Sequence, residues 1–398
     1  MKIQIKNKID EIFCSIQDQN VSEIGLLNGL SGVNLFLFNY GKYVARDQDK
    51  IEKSIGDNLL RIVDSISNGS VIHTHCSGLS GFMWSVEHFI KNSYFEREDC
   101  NILSQLDELL SIKMKSDLNK NNIDFLHGAI GCGLYFANHL TDENSNKYLD
   151  ELIDGVLFYG INDSENSLKW EYTVNDVNDK PKKVYNLSLS HGMSSIIAFL
   201  SKAKKCGYNN PKIEIVVEGG VNFLLNNIID YSVYGSYFPS WICKNEPISG
   251  SRLAWCYGDL GVASAIWQAG KIFCNEEWKN KAIEVFKFAA TRKDLVKSNV
   301  LDAGLCHGTA GIGHIFYRMW WDSKLIEFKD AADYWFSETL KMATHKDGLA
   351  GYKAWHTEKY GGWQNEIGIL EGVSGIGLAL LSYYYEVEPS WDECLLLS

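Results

Sequence analysis

Proline is scarce in this chain, five residues in 398. With 45% hydrophobic and 13% aromatic residues, the composition is not that of a disordered chain and is rich enough to bury a large core. No uninterrupted apolar run approaches membrane-spanning length. The first ten residues carry Lys2, Lys6, Lys8 and Asp10, too much charge for the apolar region of a secretion signal. A cytoplasmic protein is the expectation. Positive charge is also in deficit: 38 basic residues against 50 acidic ones give a formal charge of -12. That balance favours solubility and argues against a nucleic-acid backbone as the main ligand. There is no CxxC-type metal signature either. The ten cysteines, in a large chain without a secretion signal, read as buried thiols or metal ligands and not as a disulfide framework.

What the sequence does hold is a repeated glycine motif. Its copies are Gly29-Leu-Ser-Gly32, Gly78-Leu-Ser-Gly81, Gly128-Ala-Ile-Gly131, Gly192-Met-Ser-Ser195, Gly258-Asp-Leu-Gly261, Gly308-Thr-Ala-Gly311 and Gly372-Val-Ser-Gly375. Successive copies lie 49, 50, 64, 66, 50 and 64 residues apart, the length of a helical hairpin with variable loops. Between copies run amphipathic stretches such as Ile51, Ile55, Leu59, Ile62, Val63 and Ile66, or Ile102, Leu103, Leu106, Leu109, Leu110 and Ile112. After each copy comes a more continuously apolar run, such as Val33–Phe38 or Ile196–Leu200, that reads as a buried helix. One buried and one amphipathic helix per repeat predict an all-α fold, an α/α toroid with about seven inner and seven outer helices, spanning 1–398 as a single domain. Glycine is expected to supply a positive φ at each turn into an inner helix. The inner helices would then present unpaired N–H groups and positive dipole ends to one bowl suited to negative charge. Two segments interrupt the pattern. Residues 155–187, with Leu157-Phe-Tyr159, Trp170–Val174 and Val184-Tyr185, read as a β-rich insertion, and residues 231–251 as an ordered loop.

The chemistry gathers at the motifs. Cys256 stands two residues before the fifth, and Cys306 and His307 stand two and one before the sixth. Equivalent positions in adjacent repeats share a level, so two thiolates and an imidazole can meet. That borderline-soft set suits zinc and leaves a fourth position open. His73, His75 and Cys76 before the second motif form a rival set, and His314 a core histidine or a further group facing the bowl. His191, directly before the fourth motif, is a metal ligand or an acid/base. Asp124, four residues before the third, is placed to orient it. Arg252 and Tyr257 bring a fixed positive charge and a hydroxyl to the fifth motif.

Ser190-His-Gly-Met-Ser194, Arg252-Leu-Ala-Trp-Cys-Tyr-Gly-Asp-Leu-Gly261 and Leu305-Cys-His-Gly-Thr-Ala-Gly-Ile-Gly313 together resemble the lanthionine synthetase C-like family, in its stand-alone bacterial lantibiotic cyclases. The likeness extends through all seven motifs. It implies Zn2+ held by Cys256, Cys306 and His307, with Asp124, His191, Arg252 and Tyr257 as the other active-site residues. It further implies addition of cysteine thiols to dehydroalanine or dehydrobutyrine in a dehydrated precursor peptide that carries a leader, giving (methyl)lanthionine rings. No dehydratase domain is expected at the N-terminus, so the implied partners are a separate dehydratase and a peptide exporter. A complex with them would associate the protein peripherally with a membrane. Alternatives from other classes are a zinc enzyme of thiol prenylation, a non-cyclising relative that binds peptide or glutathione, and an enzyme of intermolecular thiol addition.

Overall fold

The computed structural model describes every residue except 18, 20, 45, 46, 70, 101, 141, 142, 176–179 and 245. Fifteen α-helices are found among the described residues. In chain order they are α1 (Lys2–Ile16), α2 (Leu30–Tyr43), α3 (Gln48–Ser67), α4 (Leu79–Lys91), α5 (Ile102–Asn119), α6 (Ala129–Asn138), α7 (Glu143–Phe158) and α8 (Met193–Lys205). The series continues with α9 (Lys212–Asn226), α10 (Tyr231–Tyr234), α11 (Asp259–Ile272), α12 (Glu276–Thr291), α13 (Thr309–Ser323), α14 (Ile326–Lys341) and α15 (Val373–Tyr385). None of the described helices is long and apolar enough to cross a membrane. The helices fall into two compact units, Met1–Tyr94 with Lys293–Trp391, and Phe95–Arg292 with Asp392–Ser398.

In the first unit, the helices that follow glycine motifs pack in the order α13, α15, α2, α4, with α14 against α13 and α3 against α2. The helix flanking α15 is α1, from the opposite end of the chain. In the second unit α6, α8 and α11 pack in a row, flanked by α7, α9 and α12, with α5 against α6 and α7. The two kinds of helix bury themselves differently. Every residue of α6 is buried, whereas α12 buries only Trp278, Ala282, Val285, Phe286 and Ala289, one stripe at helical spacing. Each large side chain in such a stripe contributes about 1.5–3 kcal/mol of hydrophobic stabilisation. On α5 the stripe is narrower than the sequence suggests, because Leu109 and Ile112 are exposed.

All seven motif glycines are N-caps of helices. Positive φ is not the reason: of these caps only Gly258 has it, at 102°, and the others are extended. The constraint is close approach. A Cβ on Gly78 would lie 2.0 Å from the Ile72 carbonyl oxygen, and one on Gly81 would lie 2.1 Å from that of His75. The chain thus folds back over a carbonyl six residues earlier, and the same Ile72 oxygen accepts the Leu79 amide at 2.8 Å. Neighbouring turns are stitched laterally. In the first unit Cys306 N donates to Leu370 O at 2.8 Å, Leu370 N to Leu27 O at 2.9 Å and Leu27 N to Cys76 O at 2.9 Å; in the second, Leu189 N donates to Cys256 O at 3.1 Å.

Strands occupy the insertions. β1 (Ile161–Ser164) pairs antiparallel with β2 (Ser167–Lys169), and β3 (Tyr172–Asn175) pairs antiparallel with β4 (Pro181–Asn186). The expected strand at Leu157-Phe-Tyr159 is a correction: Leu157 and Phe158 are the last residues of α7. The expected loop 231–251 contains the short α10 and a strand, β5 (Trp241–Ile242), that adds to β4 through Tyr185 opposite Ile242. Residues 176–179 and 245 of these insertions lie outside the described residues. Asp259, at the first position of α11, ties the second insertion down. Its carboxylate accepts the Tyr237 and Phe238 amides at 2.9 and 3.0 Å and lies 3.2 Å from the Arg292 guanidinium. A further hairpin, β6 (Ala354–Trp355) with β7 (Trp363–Gln364), lies in the first unit.

Two substitutions test the close-approach argument. Gly81→Ala should lower stability by about 3 kcal/mol or more, because backbone must move to admit the methyl. Gly56→Ala, inside α3 where a Cβ meets nothing within 4 Å, should gain about 0.5–1 kcal/mol. Thermal unfolding midpoints that shift equally in both variants would refute the argument.

Candidate active site

In the second unit, Asp124 and His191 sit on the turns that enter α6 and α8, and the structure brings them together. Asp124 Oδ2 lies 2.7 Å from His191 Nδ1, and its Oδ1 accepts the His127 amide at 2.7 Å. The His191 amide in turn donates to Ser188 Oγ at 3.1 Å, and the Ser188 amide to Asn186 Oδ1 at 3.0 Å. An ionised Asp124 holds the proton on Nδ1, so Nε2 is the nitrogen free to accept or donate one. Burial disfavours the charged imidazole, but the hydrogen bond and charge of Asp124, with a smaller contribution from Cys256, outweigh it and raise His191 above its ordinary pKa.

The Tyr257 ring lies 6.3 Å from that of His191, and Trp241 meets Tyr257 edge-on at 6.1 Å. Asp124, His191 and Tyr257 line a cavity of about 460 Å³ that β3 also lines, through Tyr172 and Val174. The insertion thus walls the site. Arg252 is half-buried and makes no ion pair among the described residues. Its backbone carbonyl lies under Gly258, where an added Cβ would come within 2.3 Å. Cys256 is buried, and Trp255 before it is fixed by an indole hydrogen bond of 2.9 Å to Leu395 O.

In the first unit, the turn into α13 carries Cys306 and His307. His307 Nε2 lies 3.5 Å from Asp302 Oδ2, an oxygen that also accepts the Trp355 amide at 2.9 Å, while Oδ1 accepts the Gly304 amide at 3.0 Å. Burial pushes the Asp302 carboxyl up, but His307 and these amides more than compensate and hold it below the usual range. On the next turn, burial raises the Glu371 carboxyl against the opposing charges of His307 and His356. His356 Nε2 lies 3.2 Å from Glu366 Oε1 and 3.6 Å from Glu371 Oε2.

Cys256 stands on a turn of the second unit and Cys306 and His307 on a turn of the first; within either unit, among the described residues, no group of three or more side chains that could hold a metal ion is found. The rival His75 and Cys76 are buried and His73 half-buried, outside any such group. His314 is buried against Trp391, with ring centroids 4.5 Å apart.

Sequence reasoning passed over His127, Asp302 and Glu371, although the glycine register carries a signal for each. The residue immediately before the first glycine is Asn28, Ser77, His127, His191, Tyr257, His307 and Glu371 in turn, and reading that column through finds two of them. Six residues before the glycine stand Arg252 in the fifth motif and Asp302 in the sixth.

Because Asp124 is the chief cause of the raised His191 pKa, Asp124→Asn should move the His191 titration midpoint down, towards or below the ordinary value. NMR of the imidazole resonances measures this. An unchanged midpoint would remove Asp124 as the controlling group.

Comparison with known proteins places the chain. Residues 20–396 match the family described as lanthionine synthetase C-like protein. The chain is 24% identical to the nisin biosynthesis protein NisC of Lactococcus lactis subsp. lactis over 439 aligned positions, covering 100% of this chain and 96% of that one. Its fold matches a solved nisin cyclase with a TM-score of 0.76 at 18% identity, over 100% of this chain and 97% of that one. The mostly helical architecture with few small strands is therefore an α/α toroid. With the family match extending over nearly its whole length, the chain belongs to the lanthionine synthetase C-like family.

Proposed function

We propose that this protein is a zinc-dependent lanthipeptide cyclase that adds cysteine thiols of a dehydrated, leader-bearing precursor peptide to dehydroalanine or dehydrobutyrine, forming (methyl)lanthionine rings. The observation that carries the reading is the Asp124–His191 pair, 2.7 Å apart, in a chain of this family that also holds a Cys/Cys/His group. Cys256, Cys306 and His307 offer two sulfurs and one nitrogen, a donor set suited to zinc with a position left for substrate. A free thiol is only a few per cent ionised near neutral pH. Zinc, when bound, supplies the Lewis acidity that lowers a substrate thiol's pKa.

The chain's own groups do the rest. His191, oriented by Asp124, takes the proton that the sulfur loses or gives the one that the α-carbon gains, through Nε2. Arg252, without an ion-pair partner among the described residues, and the Tyr257 hydroxyl are the groups to stabilise the developing enolate oxygen, with the inner-helix N-termini adding positive potential. The cavity walled by β3 and β4 receives the peptide. A separate dehydratase supplies the dehydrated residues, and an exporter removes the product, in a complex at the membrane surface.

Metal analysis after gel filtration should find one zinc per chain. Cys256→Ala and Cys306→Ala should lose most of it and Cys76→Ser should keep it; full occupancy in both alanine variants would reject the ligand set. For the activity, a dehydrated, cysteine-containing precursor should become resistant to thiol alkylation without a change of mass. Loss of thiol no faster with protein than without would leave a binding relative as the better account, and a mass increase with an added small thiol would indicate intermolecular addition. His191→Ala and Asp124→Asn should keep zinc and helical content but slow ring closure by about 10²–10⁴-fold. Wild-type rates in both would remove the proton-transfer assignment.

A further inference from the structure

Three successive glycine turns of the second unit place three aromatic rings next to one another. His127, His191 and Tyr257 each stand immediately before a motif glycine. The His127 ring lies 5.8 Å from that of His191 with planes 23° apart, and Tyr257 lies 6.3 Å from His191 at 39°. One carboxylate ties the two residues together: Asp124 takes the His127 backbone N–H on one oxygen and faces His191 Nδ1 with the other, each at 2.7 Å. His127 is exposed, while the His191 side chain retains only 33% of its accessible surface. Desolvation lowers the His127 pKa and the neighbouring His191 lowers it further, more than the Asp124 charge restores. His191 thus holds a proton more firmly than its neighbour His127, so a proton passes downhill from His127 to His191.

The reaction proposed above moves two protons, and this inference rests on that reading. The S–H bond of the substrate cysteine breaks and an S–Cβ bond forms. The C=C electron pair moves onto the carbonyl oxygen as an enolate, and its return makes a C–H bond at the α-carbon with a proton from His191. No oxidant or reductant is needed. One proton is released from sulfur and one is missing from His191, so each turnover must reprotonate His191. We propose that His127 is the proton relay of His191: its exposed imidazole takes a proton from solvent and passes it to His191 between turnovers, while the proton released by the thiol leaves to solvent. A ring separation of 5.8 Å suits transfer through a bridging water.

His127→Ala removes ring and nitrogens, and His127→Phe keeps a ring against His191 without them. Both leave the backbone amide that Asp124 uses. Both should keep zinc and the wild-type unfolding midpoint and lower kcat about 10- to 100-fold with KM within about threefold. Free imidazole in the buffer should restore much of the rate of His127→Ala and leave wild type unchanged. A wild-type rate in His127→Phe, or a slow His127→Ala that imidazole does not rescue, would overturn the relay and make His127 a packing residue. Wild-type protein that closes rings beside unimpaired variants sinks the relay alone; wild-type protein that closes none sinks the cyclase reading, and the relay with it.

Discussion

Everything placed at the site depends on a carbonyl oxygen pressed under a glycine. At each turn into an inner helix the chain doubles back so tightly that a methyl group would collide with backbone, as at Gly78, 2.0 Å from Ile72 O. This fold-back sets the offsets by which chemistry is delivered. The residue before the glycine carries His191, Tyr257 and His307, the one before that Cys256 and Cys306, and the residue whose carbonyl lies below Gly258 is Arg252. Lateral amide-to-carbonyl bonds between neighbouring turns, such as Cys306 N to Leu370 O at 2.8 Å, then hold functional side chains from segments far apart in sequence. Precision comes from backbone, which has few ways to relax, and not from long side chains.

Much of this was legible in the sequence because the repeat is periodic. The helix after each motif, the shielding helices and the proximity of Asp124 to His191 all follow from counting residues from a glycine. The role assigned to that glycine did not follow, since a composition pattern does not tell a left-handed φ from a close contact; only Gly258, at 102°, needs the former. Features outside the period were missed. Ala354–Trp355 and Trp363–Gln364 are strands of two residues, too short to alternate visibly. The pairing of β4 with β5 joins two insertions that look independent in sequence. Asp259 and Arg292 are 33 positions apart and meet only through the fold.

The carboxylates at the turns divide into two kinds of work. Asp259 is fully buried, takes two amides and a guanidinium, and fixes a loop; removing one partner of such a set leaves the other uncompensated, which is why these groups constrain structure strongly. Asp124 and Asp302 also accept backbone amides, but each spends one oxygen on a histidine, and so couples the position of a turn to the tautomer of a ring. Backbone geometry and proton location are set by the same carboxyl groups.

The packing of α1 against α15 has a consequence in time. Helix α1 is made long before α15, so the part of its apolar face of Ile5, Ile9, Ile12, Phe13 and Ile16 that α15 covers waits roughly 20–80 s at ordinary translation rates, although Phe13 can stack on Tyr40 of α2 much earlier. The second unit, nearly continuous in sequence from Phe95 to Arg292, has most of its partners available long before. Assembly on the ribosome is therefore expected to complete most of the second unit before α1 and α15 meet.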